Sequence, residues 1–294
     1  MRTPSRPDQR RPLLPSRDVA VTAEAVAADP LATGWTALRS FFNEGMPALE
    51  RALEGFGAAE AAARASGDPG TLSLWLLGIA TALRYTRRPE PMEAGLARAR
   101  ELVNVIARTQ SEEATIPYRT HVEAISCDLA DVVPASAAEY VGDGIAYSDR
   151  TVRLARKSTR EEWVAAAHAS RGDLLFRRAR DRLSLRRALA AHERARQHWP
   201  GRDNQGRAQA ALGYGDVLFA LGQATKTEAV AQDALKVFTD LADRYHEAAA
   251  RLLLARALFA LERSEALDEH AAATSLYHAL GCRWEARRAE EALG

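Results

Sequence analysis

The sequence predicts an all-α protein in which helical hairpins stack as an α-solenoid. The tetrapeptide Leu-Phe-Ala-Leu occurs at 218–221 and returns forty residues later at 258–261, each time before a polar turn and a second Ala-rich stretch. A fixed period of this size is typical of one supersecondary unit copied along the chain. The apolar fraction of 47% comes largely from Ala and Leu, which favour helices, and no strand-turn-strand pattern occurs.

Strong helix breakers divide the chain into about six antiparallel hairpins. These breakers are Gly67–Gly70, Arg88–Pro91, Val133–Pro134 and Trp199–Gly201. The expected hairpin spans are about 32–65, 71–108, 114–157, 161–198, 206–242 and 246–280, followed by a C-terminal capping helix near 282–293. Second helices are expected to begin close to residues 90, 136, 181, 225 and 265. Capping-box spacing supports several helix starts, in the pairs Ser136/Glu139, Ser158/Glu161, Thr159/Glu162 and Thr225/Glu228.

Residues 1–30 have the composition of a flexible tail rather than of a repeat. Arg and Pro are frequent in its first half, where the prolines oppose a helix, and a short helix is expected at most over 16–28. The repeat domain is therefore expected over 31–294. No apolar run is long enough for a membrane span or a secretory signal, and Cys127 and Cys282 are isolated. These features predict a cytoplasmic protein in a reducing compartment.

The fifth hairpin resembles a tetratricopeptide repeat (TPR). Its first helix carries Ala208–Gly215 and then Leu218–Gly222, and Ala234 falls where the second helix of that repeat has its small residue. The period of about forty residues is similar to that of bacterial TPR variants in regulators and scaffolds. The resemblance is good over 161–280 and partial over 71–157. It implies a superhelix whose first helices line a concave face that binds proteins or peptides.

Equivalent positions of consecutive first helices predict a binding groove on that concave face. Aligning Gly172, Gly215 and Ala255 places acidic residues in one row and aromatic residues one helical turn further on. The candidate groove residues are Asp128, Asp173, Phe176, Arg177, Asp216, Phe219, Arg256 and Phe259. The family often has Asn at the acidic position, so the resemblance with Asp in its place implies a partner with basic residues. Two other interpretations stay open: the Phe row is core between repeats, and the Asp row is a solvated rim.

Charge is distributed unevenly, although the chain carries a net charge of only +1. Between residues 150 and 207 there are 16 basic and 6 acidic residues, and the densest basic run is Arg177–Arg187. An anionic partner and a solvated face both explain such a run. Aromatic residues that could stack on bases are missing from it, which argues against nucleic acid as a partner.

A non-catalytic module that binds a protein or peptide, as adaptor, scaffold or regulatory sensor, is the leading hypothesis. The alternative is a biosynthetic or processing enzyme with a small-molecule or peptide pocket inside the superhelix, formed by Tyr118, His121, Tyr140 and His168. Whether the chain is an enzyme stays open, with a binding role favoured, because no metal-ligand, nucleophile-elbow or phosphate-loop motif occurs. No metal, cofactor or membrane partner is expected, and self-association stays open.

Overall fold

The computed structural model describes residues 29–199 and 204–292, and all regular structure in these two ranges is helical. The predicted all-α class is therefore confirmed. The predictions of a flexible tail and of a helix over 16–28 lie outside the described residues. None of the described helices is long and apolar enough to cross a membrane.

Six helical hairpins follow one another in the described residues, and a thirteenth helix ends the series. The first helices of the hairpins are α1 (Pro30–Glu44), α3 (Pro69–Tyr85), α5 (Ile116–Val132), α7 (Glu161–Arg178), α9 (Asn204–Ala220) and α11 (Arg244–Ala260). The second helices are α2 (Met46–Ala65), α4 (Pro89–Thr109), α6 (Ala137–Ala155), α8 (Arg182–His198), α10 (Ala224–Asp240) and α12 (Ala266–Ala279). The last helix, α13, spans Arg283–Glu290. All five predicted starts of second helices lie within one residue of the observed starts.

None of the four predicted capping boxes forms. Ser136 ends a short 3-10 turn and makes no capping hydrogen bond to α6, while α7 and α10 begin after Arg160 and Gln223. Aspartates provide side-chain caps instead, and Asp181 with Ser184 forms a capping box at the start of α8. Breakers limit where a helix can begin, but the geometry of each turn decides which side chain reaches the free amides.

The first helices form an inner ring, and the second helices surround it. Each first helix packs against the next first helix along the chain as well as against its own second helix. After the sixth hairpin, α11 packs back against α1, so the α-solenoid closes on itself. The predicted α-solenoid is confirmed, and its last hairpin contacts its first.

The closure contact joins the first turn of the ring to its last helices. Gly45, between α1 and α2, has a φ of +79°, and a Cβ added there would lie 2.0 Å from the carbonyl oxygen of Leu280. The amide of Met46 donates a hydrogen bond of 2.7 Å to that same oxygen. Beside this contact, the rings of Phe41 and Tyr245 approach to 5.4 Å within a hydrophobic core that α1–α3 share with α11–α13. Closure therefore involves both backbone contact and a common core.

Replacing Gly45 by Ala should destabilise the fold by about 2–4 kcal/mol, because the added methyl group meets backbone and the conformation suits only glycine. Gly57→Ala is the matched control. A Cβ at Gly57, inside α2, meets nothing within 4 Å. The control should therefore gain up to about 1 kcal/mol from helix propensity. Urea unfolding measures both changes, and equal stability of Gly45→Ala and wild type would contradict this closure contact.

Candidate functional site

Five charged residues occupy equivalent positions on consecutive inner helices from α3 to α11. They are Arg84, Asp128, Asp173, Asp216 and Arg256, separated by 44, 45, 43 and 40 residues. We call this set the charge row. Its end members are paired with their neighbours, since Arg84 Nε lies 2.5 Å from Asp128 Oδ2 and Arg256 Nη1 lies 2.7 Å from Asp216 Oδ1. The order Arg-Asp-Asp-Asp-Arg leaves the central carboxyl group without an arginine.

Asp173 is that central member, and no arginine forms an ion pair with it in the described part of the chain. The imidazole of His192 lies beside it, with Nε2 3.4 Å from Asp173 Oδ1, and the Asp173 side chain keeps 41% of its surface accessible. Enclosure by the surrounding helices raises the pKa of this carboxyl to about 7, with Arg177 opposing the rise and Asp216 and Asp128 adding to it. Accessibility favours the charged form and enclosure disfavours it. The Asp173 carboxyl therefore loses its proton at a higher pH than an ordinary aspartate does.

Two glycines make room for Asp173 and His192. A Cβ at Gly213 would lie 2.2 Å from Asp173 Oδ1, and a Cβ at Gly172 would lie 2.6 Å from the imidazole of His192. The imidazole of His192, on the outer helix α8, therefore fits between the inner helices α7 and α9 and reaches the charge row. Burial lowers the pKa of His192 to about 4, so the ring is neutral near pH 7. Neither ring nitrogen has a hydrogen-bond partner within the described residues.

Arg87 connects the charge row to the closure of the ring. It lies between α3 and α4, and its Nη1 is 3.0 Å from Asp128 Oδ2 while its Nε is 2.7 Å from Glu285 Oε1. Nη2 also donates to the hydroxyl oxygen of Tyr245 at 3.0 Å. Burial works against the charge of Asp128, but Arg84 and Arg87 together hold the pKa of its carboxyl below the ordinary value. One guanidinium thus joins α5, α11 and α13.

The three equivalent phenylalanines lie close to the carboxyl ends of α7, α9 and α11. Phe176 and Phe219 are half-buried, and the guanidinium of Arg256 lies 4.4 Å from the centre of the Phe219 ring. Phe259 is 55% exposed. The three side chains therefore differ in exposure, and one of them packs against an arginine.

The predicted acidic surface is also largely neutralised. Arginines of neighbouring hairpins pair with Asp128 and Asp216, as the charge row shows. Arg177, another predicted groove residue, donates to Asp131 Oδ2 at 2.7 Å. Asp128, Asp173 and Asp216 occupy equivalent positions on consecutive inner helices, and Asp173 is the one of the three without an arginine partner in the described residues.

The four residues of the alternative pocket have separate partners. His121 Nε2 lies 3.2 Å from Thr81 Oγ1, Tyr140 donates to Glu93, His168 stacks with His198, and Tyr118 is half-buried against the core. Burial lowers the pKa of His121 to about 3 and that of His168 to about 4. The structure does not bring these side chains together as one acid–base group. No group of three His, Cys, Asp or Glu suited to a metal ion occurs in the described residues.

The stacked hairpins and their inner row of equivalent residues define a TPR-like helical-repeat protein. Among solved structures, BtubC (BKLC) from P. vanneervenii is similar with a TM-score of 0.51 and 14% identity, covering 83% of this chain and 92% of that one. A putative kinesin light chain with TPR-like repeats from Podosopora anserina gives a TM-score of 0.44 and 15% identity, over 69% and 94% of the two chains. These likenesses concern the fold. No protein-family model and no curated protein matches the chain.

Sequence reasoning missed several residues of the interior. Arg84 could have been found, because it stands one period before Asp128 in the same row. Glu285 carries no local signal, since its partner Arg87 is 198 residues away. The insertion of His192 could not be predicted either, although glycines on α7 and α9 were visible as small residues.

Glu123 is a further buried carboxyl that no sequence pattern indicated. It has no exposed surface and accepts hydrogen bonds from Ser170 Oγ, at 2.6 Å, and from Thr151 Oγ1. Burial raises the pKa of this carboxyl to about 7, although both hydroxyl groups oppose the rise. The site between α5, α6 and α7 therefore favours the protonated, neutral form of Glu123.

Glu123→Gln should change stability in a pH-dependent way. The folded-state pKa of about 7 lies above the ordinary value of 4.5, so the contribution of Glu123 is complete below pH 4.5 and is lost as the pH rises through 7. The neutral glutamine should be nearly silent at low pH and should stabilise the protein by about 1–3 kcal/mol above pH 8. Urea unfolding at both pH values measures this, with Glu54→Gln on the exposed face of α2 as control. A shift equal at both pH values would contradict the assignment.

Arg87→Ala should destabilise the ring by about 3–5 kcal/mol, because it leaves the buried carboxylates of Asp128 and Glu285 short of a cation. Arg51→Ala serves as control. It breaks the pair between Arg51 and Glu44, which is 2.5 Å long but exposed, and should cost no more than about 1 kcal/mol. Chemical unfolding tests both variants, and small-angle scattering should show a larger radius for Arg87→Ala if the ring opens. Similar losses in the two variants would argue against the role of Arg87.

Proposed function

We propose that this chain is a non-catalytic protein-interaction module, an adaptor or scaffold that accepts a basic side chain of a protein partner at Asp173. The observation that carries the proposal is the unequal pairing within the charge row. Asp128 and Asp216 have arginine partners at 2.5 and 2.7 Å, while Asp173 between them has none and stays 41% accessible.

The charges around Asp173 support a cationic ligand. Arg84 and Arg87 both pair with Asp128, and Arg256 pairs with Asp216, but no arginine within the described residues forms an ion pair with Asp173. Enclosure raises the pKa of Asp173 most, and the carboxylates of Asp216 and Asp128 add to the rise, so its charged form is disfavoured in the absence of a cation. An ammonium or guanidinium group from a partner would supply the missing charge and form a charge-assisted hydrogen bond.

The surroundings of Asp173 suit a protein segment. Phe176 lies one helical turn further along α7, and Phe219 occupies the same position relative to Asp216 on α9; both are half-buried. Apolar surface next to a carboxyl fits a side chain with an aliphatic stem and a charged end, such as lysine or arginine. The TPR-like fold supports a protein partner in general. The free, buried Cys127 and Cys282 support a reducing compartment such as the cytoplasm.

The test compares peptide binding by wild type and by Asp173→Asn. The probe is a set of fluorescently labelled short peptides with one central lysine between apolar residues, together with the same peptides carrying norleucine in place of lysine. Asp173→Asn should weaken binding of the lysine peptides by about tenfold or more, because the charged contact is lost. It should leave the norleucine peptides unaffected. Asp233→Asn, at an exposed position of α10, is the control for net charge.

Binding should also depend on pH in a defined direction. Because the pKa of free Asp173 is about 7, raising the pH from 6 to 8 ionises the carboxyl and should strengthen lysine-peptide binding by up to about tenfold. Asp173→Asn should abolish this dependence. Equal affinity of wild type and Asp173→Asn, or binding by neither, contradicts the proposal.

A further inference from the structure

Five arginines at the end of α7, in the following turn and at the start of α8 form a second charged feature, which we call the basic rim. They are Arg178, Arg180, Arg182, Arg186 and Arg187, all exposed. None of them forms an ion pair within the described residues, whereas the arginines of the interior are paired with carboxylates. Guanidinium groups stay charged at all relevant pH values, so the basic rim keeps its positive charge.

Asp181 is the one acid within this stretch, and its carboxylate offsets only one of the five positive charges of the basic rim. Asp181 accepts a hydrogen bond of 2.7 Å from the amide of Ser184, and its carboxyl is held at the start of α8 as the cap of that helix. Arg180 is also fixed in place, because its Nη1 donates to the carbonyl oxygens of Arg177 and Ala179 at 3.1 and 3.0 Å. Hydrogen bonds therefore hold Arg180 and the start of α8 in place within the basic rim.

A cleft of about 690 Å³ lies against the basic rim, between the turn of the fourth hairpin and the turn of the fifth. It is lined by Ala179, Arg180, Asp181, Arg182, Leu185, Ala220, Leu221 and Gly222. Its apolar lining is aliphatic, with Leu185 and Leu221 half-buried. Leu183, between two of the lining residues, is 62% exposed. Apolar surface and unpaired positive charge thus meet at the edge of the ring.

We propose that the basic rim and this cleft bind an acidic segment of a partner protein that carries at least one apolar side chain. The carboxylates of the segment pair with Arg182 and Arg186, which lie one helical turn apart on α8, and its apolar side chain occupies the cleft beside Leu183. Charge complementarity selects the occupant. This surface is separate from Asp173, and the proposed function neither requires it nor depends on it.

The lining of the cleft favours protein over nucleic acid. Proteins that bind single strands usually stack bases on aromatic side chains, and the residues around this cleft are Ala, Leu, Gly, Asp and Arg. Phosphates alone would use the arginines and leave the aliphatic lining unused. A segment with both carboxylates and an apolar side chain uses both parts.

Fluorescence anisotropy with the full chain tests the proposal. The probes are an array of short labelled peptides rich in Asp and Glu with one leucine or isoleucine, the same peptides with serine at that position, and a single-stranded oligonucleotide of equal charge. Wild type should bind members of the first set more tightly than their serine versions, and added salt should weaken this binding. The double variant R182E/R186E should lose about tenfold or more in affinity, and Leu183→Ser should lose severalfold.

Arg194→Glu is the matched control, since it changes an exposed residue of the same helix about three turns away. It should bind the acidic peptides within about twofold of wild type. Circular dichroism checks that all variants keep their helices. The proposal is overturned if no acidic peptide binds, if R182E/R186E and Arg194→Glu behave alike, or if the serine peptides or the oligonucleotide bind as tightly as the apolar acidic peptides.

Discussion

The contact between the first turn and the last hairpin is the constraint on which the rest of this structure depends. In an open solenoid each hairpin touches only its neighbours, so stability accumulates along one dimension. Here Gly45 and Leu280, 235 residues apart in the chain, meet at the backbone, and a shared core surrounds them. Closure links every hairpin to every other through the ring. It also directs the inward side chains of six helices into one interior.

Arginine–carboxylate pairs link the inner helices to one another beside the apolar core. Buried charges are costly unless each finds a partner, and Arg87 contacts two carboxylates and a tyrosine hydroxyl. Asp128 and Asp216 on the inner helices are likewise paired with arginines. Asp173 departs from this pattern inside the ring, and the five arginines of the basic rim depart from it outside. Asp173 is negatively charged when ionised and the arginines of the basic rim are positively charged. The molecule therefore has a carboxylate without an arginine partner and a group of unpaired arginines at separate places in the described residues.

The fold was predictable from the sequence because its determinants are local and repeated. Breakers fixed the hairpin limits, and the period placed Asp128, Asp173 and Asp216 in one row. Closure was not predictable, since it depends on small rotations between hairpins that add up around the ring. The pairing of Arg87 with Glu285 was not predictable for the same reason, because it depends on closure. The sequence therefore did not indicate that arginines neutralise most acids of the predicted groove. The capping boxes were predicted wrongly because a cap depends on the geometry of a single turn.

The shape of the molecule also limits how such a chain can change in length. Linear arrays gain or lose hairpins easily, because a duplicated unit simply adds to the stack. In this ring an extra hairpin would separate the turn at Gly45 from Leu280 and break the backbone contact between them. An added hairpin would therefore require a new closing contact, whereas changes in loops and outward side chains leave the existing contact intact.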